Sequence, residues 1–332
     1  MILVTGGTGL VGAHLLLHLI EEETTIRAIF RSEESKKKTQ NLFKLYNKED
    51  FFSKIEWVCA DILDIPSLEI AFVNVTWVYH CASLISFDPN KEIQLRQTNI
   101  QGTANIVNFC IDKKVQKLCH VSSIAAIGEL LPGENFITEK SEWNPEKPHS
   151  DYAISKYGAE MEIWRGYQEG LKVVIVNPGI ILGTGFWNQS SGLLFKIVKN
   201  KLLFYTNGIS GYVSVSDVVK IMQQLMKSDL NGERFILVSE NKTYKEIIYL
   251  IAEKIKVKAP VLEAKSLLLY TAWRMDWLLS KIINSERKIS RYSTQSLLNE
   301  VELSNVKIKN TLNYTFQPVE ETVTEMAVFF DN

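Results

Sequence analysis

The chain has 332 residues, is 46% hydrophobic and 23% charged, and carries a formal net charge of −1. Such a composition supplies a large core and fits an ordinary enzyme with a smaller second lobe, while the near-zero charge argues against a nucleic-acid partner. The first strand begins at once, leaving no room for a signal or transit peptide, so the expectation is a cytoplasmic protein.

The opening stretch, Met1-Ile-Leu-Val-Thr-Gly-Gly-Thr-Gly-Leu-Val-Gly12, reads as strand, tight turn and helix. Ile2, Leu3 and Val4 are strand formers, and Ala13 to Ile20 runs apolar at helical spacing. Gly6, Gly9 and Gly12 mark the seam. A loop passing close to a pyrophosphate cannot carry side chains there, and a helix N-terminus offers free N–H groups and a positive dipole to phosphates. A glycine-rich loop alone is as easily a plain turn; its place between strand and helix points to a dinucleotide.

Strand-like runs recur at Thr25 to Phe30, Lys54 to Ala60, Val75 to Cys81, Lys117 to Ser122 and Leu171 to Asn177. Helical segments separate them, around Glu33 to Tyr46, Ser67 to Val73, Lys91 to Asp112 and Tyr152 to Gln168. The alternation predicts an α/β fold, a Rossmann-type doubly wound parallel sheet with ligands along the edge where the strands end. Lys36-Lys37-Lys38 reads as a solvated helix face. His14 and His18 lie four apart with no acid in motif spacing, so no metal site is expected. Cys59, Cys81, Cys110 and Cys119 lack CxxC pairing and read as reduced, mostly buried thiols.

After Asn177 the regularity breaks at a Gly- and Pro-rich loop, Pro178 to Ser191. A helix near Leu193 to Lys199, a short strand near Gly211 to Val215, a helix Asp217 to Met226 and a strand Arg234 to Val238 follow, the last two reading as a return to the main sheet. Residues 1–177 plus 211–241 are thus expected to form the dinucleotide-binding domain, and 178–210 plus 242–332 a smaller, mainly helical substrate lobe. Leu267 to Ile283 is the most apolar piece of that lobe. Arg274, Asp276 and Lys281 interrupt it, so it is no integral membrane span; it reads as a helix packed on the core, with a membrane-surface helix as the other option.

Tyr152-Ala-Ile-Ser-Lys156 places a phenol and an ammonium four apart, on one face of a helix. A nearby cation favours phenolate, drawing the tyrosine from a pKa of about 10 towards working pH, where it can exchange a proton with a substrate oxygen. His120-Val-Ser-Ser-Ile124 closes the fifth strand, and either Ser122 or Ser123 could hold that oxygen.

Seven motifs, in order, carry a resemblance: Thr5-Gly-Gly-Thr-Gly-Leu-Val-Gly12, Asp61-Ile-Leu-Asp64, His80-Cys-Ala-Ser83, Thr98-Asn-Ile-Gln-Gly-Thr103, Val121-Ser-Ser-Ile124, Tyr152-x-x-x-Lys156 and Asn177-Pro-Gly179. With a weaker match at Gly211 to Asp217, the chain resembles the extended short-chain dehydrogenases/reductases of the NAD-dependent epimerase/dehydratase superfamily. Asn177-Pro-Gly179 and Ile85-Ser-Phe-Asp88 make it most similar to the branch of dihydroflavonol reductases and 3β-hydroxysteroid dehydrogenases.

The resemblance implies roles. Gly6, Gly9 and Gly12 would border the pyrophosphate, Asp61 and Ile62 would lie near the adenine, Ala82 and Ser83 would line the cofactor between adenine and nicotinamide, and Thr8, Leu10, Val11 and Cys81 would also belong to the cofactor site. Tyr152 would be the general acid/base, Lys156 would also hold the nicotinamide ribose, and Pro178 would pack near the carboxamide. The family's spacing to the loop glycine, here Gly128, selects Ser123 over Ser122. Asn99 matches the asparagine of a water relay, although a helix-bending polar residue explains it equally. A homodimer is implied through the helices holding Asn99 and Tyr152, and Ile154, Tyr157, Met161 and Trp164 recur on a second apolar face of the latter.

The second strand ends Arg27-Ala-Ile-Phe-Arg-Ser32, with no carboxylate where NAD enzymes hold the ribose. Arg31 can meet a 2′-phosphate, so NADP(H) is preferred, with NAD(H) still possible through Glu33 or Glu34. Leu84, Ile85, Phe87, Ile124, Ile127, Ile180, Phe186 and Trp187 follow strand ends and suit a small apolar substrate. The expected activity is therefore ketone–alcohol interconversion. The alternatives are a sugar-nucleotide epimerase or dehydratase, for which Arg274, Arg287 and Arg291 are available to a second pyrophosphate, and a dinucleotide sensor without turnover.

Overall fold

The computed structural model describes residues 1–22, 25–283 and 291–330. Seven strands form one parallel sheet: β1 (Ile2–Thr5), β2 (Ile26–Phe30), β3 (Glu56–Cys59), β4 (Trp77–His80), β5 (Lys117–Val121), β6 (Val173–Pro178) and β7 (Glu233–Leu237). Their order across the sheet is β7-β6-β5-β4-β1-β2-β3, so the direction of winding reverses beside β1. That reversal opens a crevice at the C-terminal ends of β1 and β4. Alternate residues feed opposite cores: Ile2 and Val4 enter one, Leu3 the other. Between the edge strands β3 and β7 both faces are buried, so the inner strands have no polar row and read as largely apolar runs.

The principal helices are α1 (Leu10–Glu22), α2 (Glu33–Leu45), α3 (Gly102–Asp112), α4 (Asp151–Gln168) and α5 (Val215–Lys227). Leu15, Leu16 and Leu19 of α1 join Val218, Met222 and Leu225 of α5 in one core. Ile106, Val107 and Cys110 of α3 and Ile163 of α4 fill the other.

The helix expected from Lys91 to Asp112 is present from Glu92 onward, but its hydrogen-bond register changes along the way. A single turn, Glu92–Leu95, runs into a π-helical turn, Arg96–Gln101, and only then into α3. The strand read near Gly211 is Ile209–Ser214, and it lies outside the main sheet. It pairs in parallel with Ile180–Leu182 and antiparallel with Glu240–Thr243, while α5 and β7 do return to the main sheet. Two-residue ladders join Phe204–Tyr205 to Leu262–Glu263 and Phe136–Ile137 to Glu302–Leu303.

Phe195, Tyr212, Ile247, Ile251, Val323 and Met326 form the core of the helical C-terminal part. The helix Ser266–Ile283 is buried on part of its described surface only: Leu269 is buried, while Leu267 is 76% exposed and Met275 56%. Among the described residues no helix is long and apolar enough to cross a membrane. Of the four free thiols Cys110 and Cys119 are buried, but Cys59 is exposed and Cys81 half-buried. His14 is buried against the Thr184 carbonyl at 3.1 Å, and no group of metal-ligating side chains occurs among the described residues.

Candidate active site

The glycine loop is shaped by close approach. Gly6 has φ +68°, and a Cβ there would stand 2.5 Å from the Ala82 nitrogen. A Cβ at Gly12 would strike the Gly6 carbonyl, so the first turn of α1 sits directly on the loop. Thr39 on α2 pins the loop from below, donating to the Gly7 carbonyl at 2.9 Å. Leu10 is buried, whereas Thr8, Gly9 and Val11 are half-exposed. The leading N–H groups of a helix lack intrahelical acceptors, and the first turn of α1 holds no acid to compete for them. A pyrophosphate fits this cradle.

At the far end of the crevice Arg31 stands 3.8 Å from Asp61, both side chains well exposed, in a shallow pocket with Cys59, Ala60, Asp64 and Ser67. Asp61 caps its own turn by accepting from the Leu63 nitrogen at 2.9 Å. Ile62 is buried, and its carbonyl accepts from Asn105 at 2.9 Å. Cys81, Ala82 and Ser83 continue from β4 along the crevice floor. Beneath them the His80 ring bridges Thr5 Oγ1 at 2.7 Å and Thr103 Oγ1 at 2.9 Å. Thr103 donates to the Asn99 carbonyl at 2.6 Å, so His80 must donate to Thr103 through Nε2 and accept from Thr5 through Nδ1. Burial, helped by the charge of Lys156, pulls His80 down to about 3 and keeps it neutral.

Helix α4 opens at Ser150, whose hydroxyl accepts from the Ala153 nitrogen at 3.1 Å. At its start Tyr152 meets Phe87 of the loop after β4, and one turn on Lys156 reaches the end of β5. Ser123 caps the short turn Ile124–Ala126 and meets the Tyr152 phenol, whereas Ser122 points the other way, into the protein. The expectation of a phenol pulled down by the lysine needs correction. Burial dominates and pushes Tyr152 up, with the Ser123 hydrogen bond opposing it. The Lys156 ammonium instead donates to the Val121 carbonyl at 2.9 Å. Burial draws Lys156 down to about 8 against the opposing pull of Glu160 and Cys81.

Asn99 lies in the π-turn, and every hydrogen-bonding position of its side chain is filled. The amide nitrogen donates to the Leu84 carbonyl and to Ser155 Oγ, each at 2.9 Å. The amide oxygen accepts from the Leu84 nitrogen at 2.7 Å and from Ser83 Oγ at 3.1 Å. A primary amide has two donors and two acceptor sites, so none remains for a relayed water. The side chain clamps the loop after β4 to the helix of Tyr152.

One residue escaped the motifs. Glu160, four beyond Lys156, is fully buried and accepts from Ser122 Oγ at 2.7 Å, Asn177 Nδ2 at 2.8 Å and Arg234 at 3.1 Å. Asn177 also donates to the Ser123 carbonyl at 3.0 Å. One carboxylate thereby ties α4 to the ends of β5, β6 and β7, fixing Ser123 and buried Pro178. The helical spacing 152, 156, 160 was the available signal.

The apolar residues expected to face substrate divide. Phe87 and Ile85 are more than half exposed, Leu84 is held by Asn99, and the Phe87 ring meets the Tyr152 ring edge-on at 5.6 Å. Ile124 adjoins Ser123, but Ile127 is buried with Ile236, Val238 and Leu303. Ile180 packs in the C-terminal core, and Trp187 lies 5.0 Å from Phe330. Phe186 is buried between α1 and α2 with Leu10, Ala13 and Leu42 rather than at the open edge. The helices packed beyond those strand ends capture these side chains.

Sheet order, loop and strand-end cleft together define a Rossmann-type protein built around a dinucleotide. The chain belongs to the NAD dependent epimerase/dehydratase family, which residues 2–237 match. It is an NAD(P)-binding enzyme of the oxidoreductase type. A Synechocystis sp. protein named as a dihydroflavonol 4-reductase is 30% identical over 254 residues, covering 74% of this chain and 69% of the relative. A Vibrio cholerae UDP-glucose 4-epimerase is 27% identical over 249 residues, covering 72% and 70%. The crystal structure of gox2253 superimposes with a TM-score of 0.83 at 23% identity over 100% of this chain and 98% of that one, a likeness of fold.

Proposed function

We propose that the protein is an NADP(H)-dependent oxidoreductase interconverting a ketone and a secondary alcohol on a small, largely apolar substrate. The observation that carries this reading is the placement of the Tyr152 phenol beside Ser123 and the exposed Phe87 ring, with Lys156 one helical turn further on and burial pushing the phenol's pKa up. When bound, the nicotinamide dinucleotide supplies or takes the hydride. Tyr152 passes its proton to the carbonyl oxygen as the alcohol forms, and Ser123 donates a hydrogen bond to that oxygen. Lys156, one helical turn away, stabilises the phenolate left behind. In the oxidative direction the phenolate takes the hydroxyl proton back.

The same reading carries a preference for NADP(H), with Arg31 free to leave the exposed Asp61 for a 2′-phosphate. It carries a cytoplasmic location, which suits four thiols free of disulfides. It also carries a homodimer through the outer face of α4, where Met161 is 37% exposed, although Trp143 of the same chain covers Tyr157 at 4.4 Å.

The test is to assay purified protein with NADPH against ketones and nucleotide sugars, beside Tyr152→Phe. Ketone reduction should fall by about 10²–10⁴-fold in the variant with cofactor affinity retained. Turnover of a nucleotide sugar alone would favour an epimerase; of the arginines considered for one, Arg274 is exposed and Arg287 lies outside the described residues. Cofactor binding with no turnover on either panel would favour a sensor.

A further inference from the structure

Exposed apolar side chains gather in the C-terminal lobe, along the sequence from the loop after Lys199 to the start of the helix Ser266–Ile283. Val261 is 82% exposed, Leu267 76%, Leu203 64% and Leu262 50%. The ladder pairing Leu262 with Phe204 sets Val261 beside Leu203. Parallel strands bring the segments that lead into them to the same end of the pair. One of these segments leaves the helix Ser190–Lys199 through Lys201, the other leaves Tyr244–Lys254 through Lys256 and Lys258. Lys201 and Lys256 both hold left-handed backbone, φ +61° and +56°, which turns each segment out of its helix. Ala264 closes the ladder by donating to the Tyr205 carbonyl at 2.8 Å, and Lys265 then leads into the turn bearing Leu267 and Leu268. All four lysines are exposed, and the acid among them, Glu263, accepts from Asn207 at 3.0 Å.

We propose that this face seats the protein on an anionic lipid bilayer, with Leu203, Val261, Leu267 and Leu268 entering the headgroup–acyl boundary and Lys201, Lys256, Lys258 and Lys265 lying against the phosphates. Leu203 and Val261 stand side by side and exposed at the head of the ladder, and exposed apolar surface of this kind marks an interaction site. The charge pattern selects the occupant. Interfaces between protein copies are depleted of lysine, whereas here lysine flanks the apolar residues throughout, the composition that binds an acidic membrane surface. Seating is peripheral, since no described helix can cross a membrane. The inference adds to the reading of an apolar substrate, which would itself partition into lipid, and its test uses neither substrate nor cofactor, so its failure leaves that reading standing.

The full chain is sedimented with phosphatidylcholine vesicles with and without phosphatidylglycerol, at low and high salt. Binding should be at least about tenfold stronger to the anionic vesicles and should weaken with salt. Two variants probe the two components, Leu203→Ser/Val261→Ser/Leu267→Ser and a glutamine replacement of the four lysines. Each should lose at least about tenfold of the binding while keeping the parent Tm. Binding indifferent to phosphatidylglycerol, or retained by both variants, overturns the proposal. So does a dimer in light scattering that the serine variant splits while no chain sediments with lipid, since the face then belongs to a second copy.

Discussion

The buried carboxylate of Glu160 accepts the hydroxyl of Ser122 at 2.7 Å, and through this contact α4 holds the strand end that carries Ser123. Arg234 meets the other oxygen of the same carboxylate at 3.1 Å. Glu160→Ala leaves that guanidinium, Ser122 and Asn177 without their partner, and should cost about 3–5 kcal/mol of stability in urea unfolding. Adding Arg234→Met should recover part of the loss, and a double-mutant cycle measures the coupling. Strictly additive effects would mean the pair contributes nothing as a pair.

Asn99→Ala should free the loop after β4. It removes the partners of the Leu84 nitrogen and carbonyl, at about 1–3 kcal/mol for each group left unpaired, while Ser155 keeps its bond to the Tyr152 carbonyl. Hydrogen exchange at Leu84 should accelerate in the variant while exchange in α1 stays as in the parent. Unchanged exchange at Leu84 would show that the clamp is not what orders this loop.

Arg31→Ala should weaken NADPH binding by about 1.5–3 kcal/mol, as for a hydrogen bond to a charged group, with NADH little changed. Asp61→Asn should act in the opposite sense on NADPH, because it releases Arg31 from a carboxylate 3.8 Å away. Isothermal titration of both cofactors into both variants checks the pair of signs. Equal losses of NADH and NADPH in Arg31→Ala would remove the phosphate assignment.

Stability should depend on pH at both ends. Burial lowers His14 from 6.5 to about 4 and His80 from 6.5 to about 3, so below pH 6.5 the unfolded chain binds protons that the folded chain refuses. Stability is therefore lost as pH falls through that window, at up to about 1.4 kcal/mol per pH unit per histidine. Lys156, lowered from 10.5 to about 8 by burial, adds stability as pH rises between those values, because there too the unfolded state holds the extra proton. Urea midpoints across pH should fall less steeply on the acid side in His14→Gln, and rise less on the alkaline side in Lys156→Met, than in the parent.

Local pattern alone determined much of this protein. The strand–glycine–helix opening, the alternation of apolar runs and helical segments, and the four-residue step from Tyr152 to Lys156 are all encoded within a few neighbouring residues, because backbone propensity and periodicity act over one or two turns. What remained for the tertiary structure depends on partners far apart in sequence. Glu160 gains its role from Arg234, 74 residues away, and Asn99 is filled by Ser155, 56 residues away. Phe186 and Leu203 are alike in being apolar residues in irregular segments, yet one is walled in by α1 and α2 while the other stands 64% exposed. The direction of the Tyr152 shift follows the same rule: the lysine four residues on is visible in the sequence, but the burial that raises the phenol against its Ser123 hydrogen bond exists only once the sheet, α4 and the loop of Phe87 have closed around it.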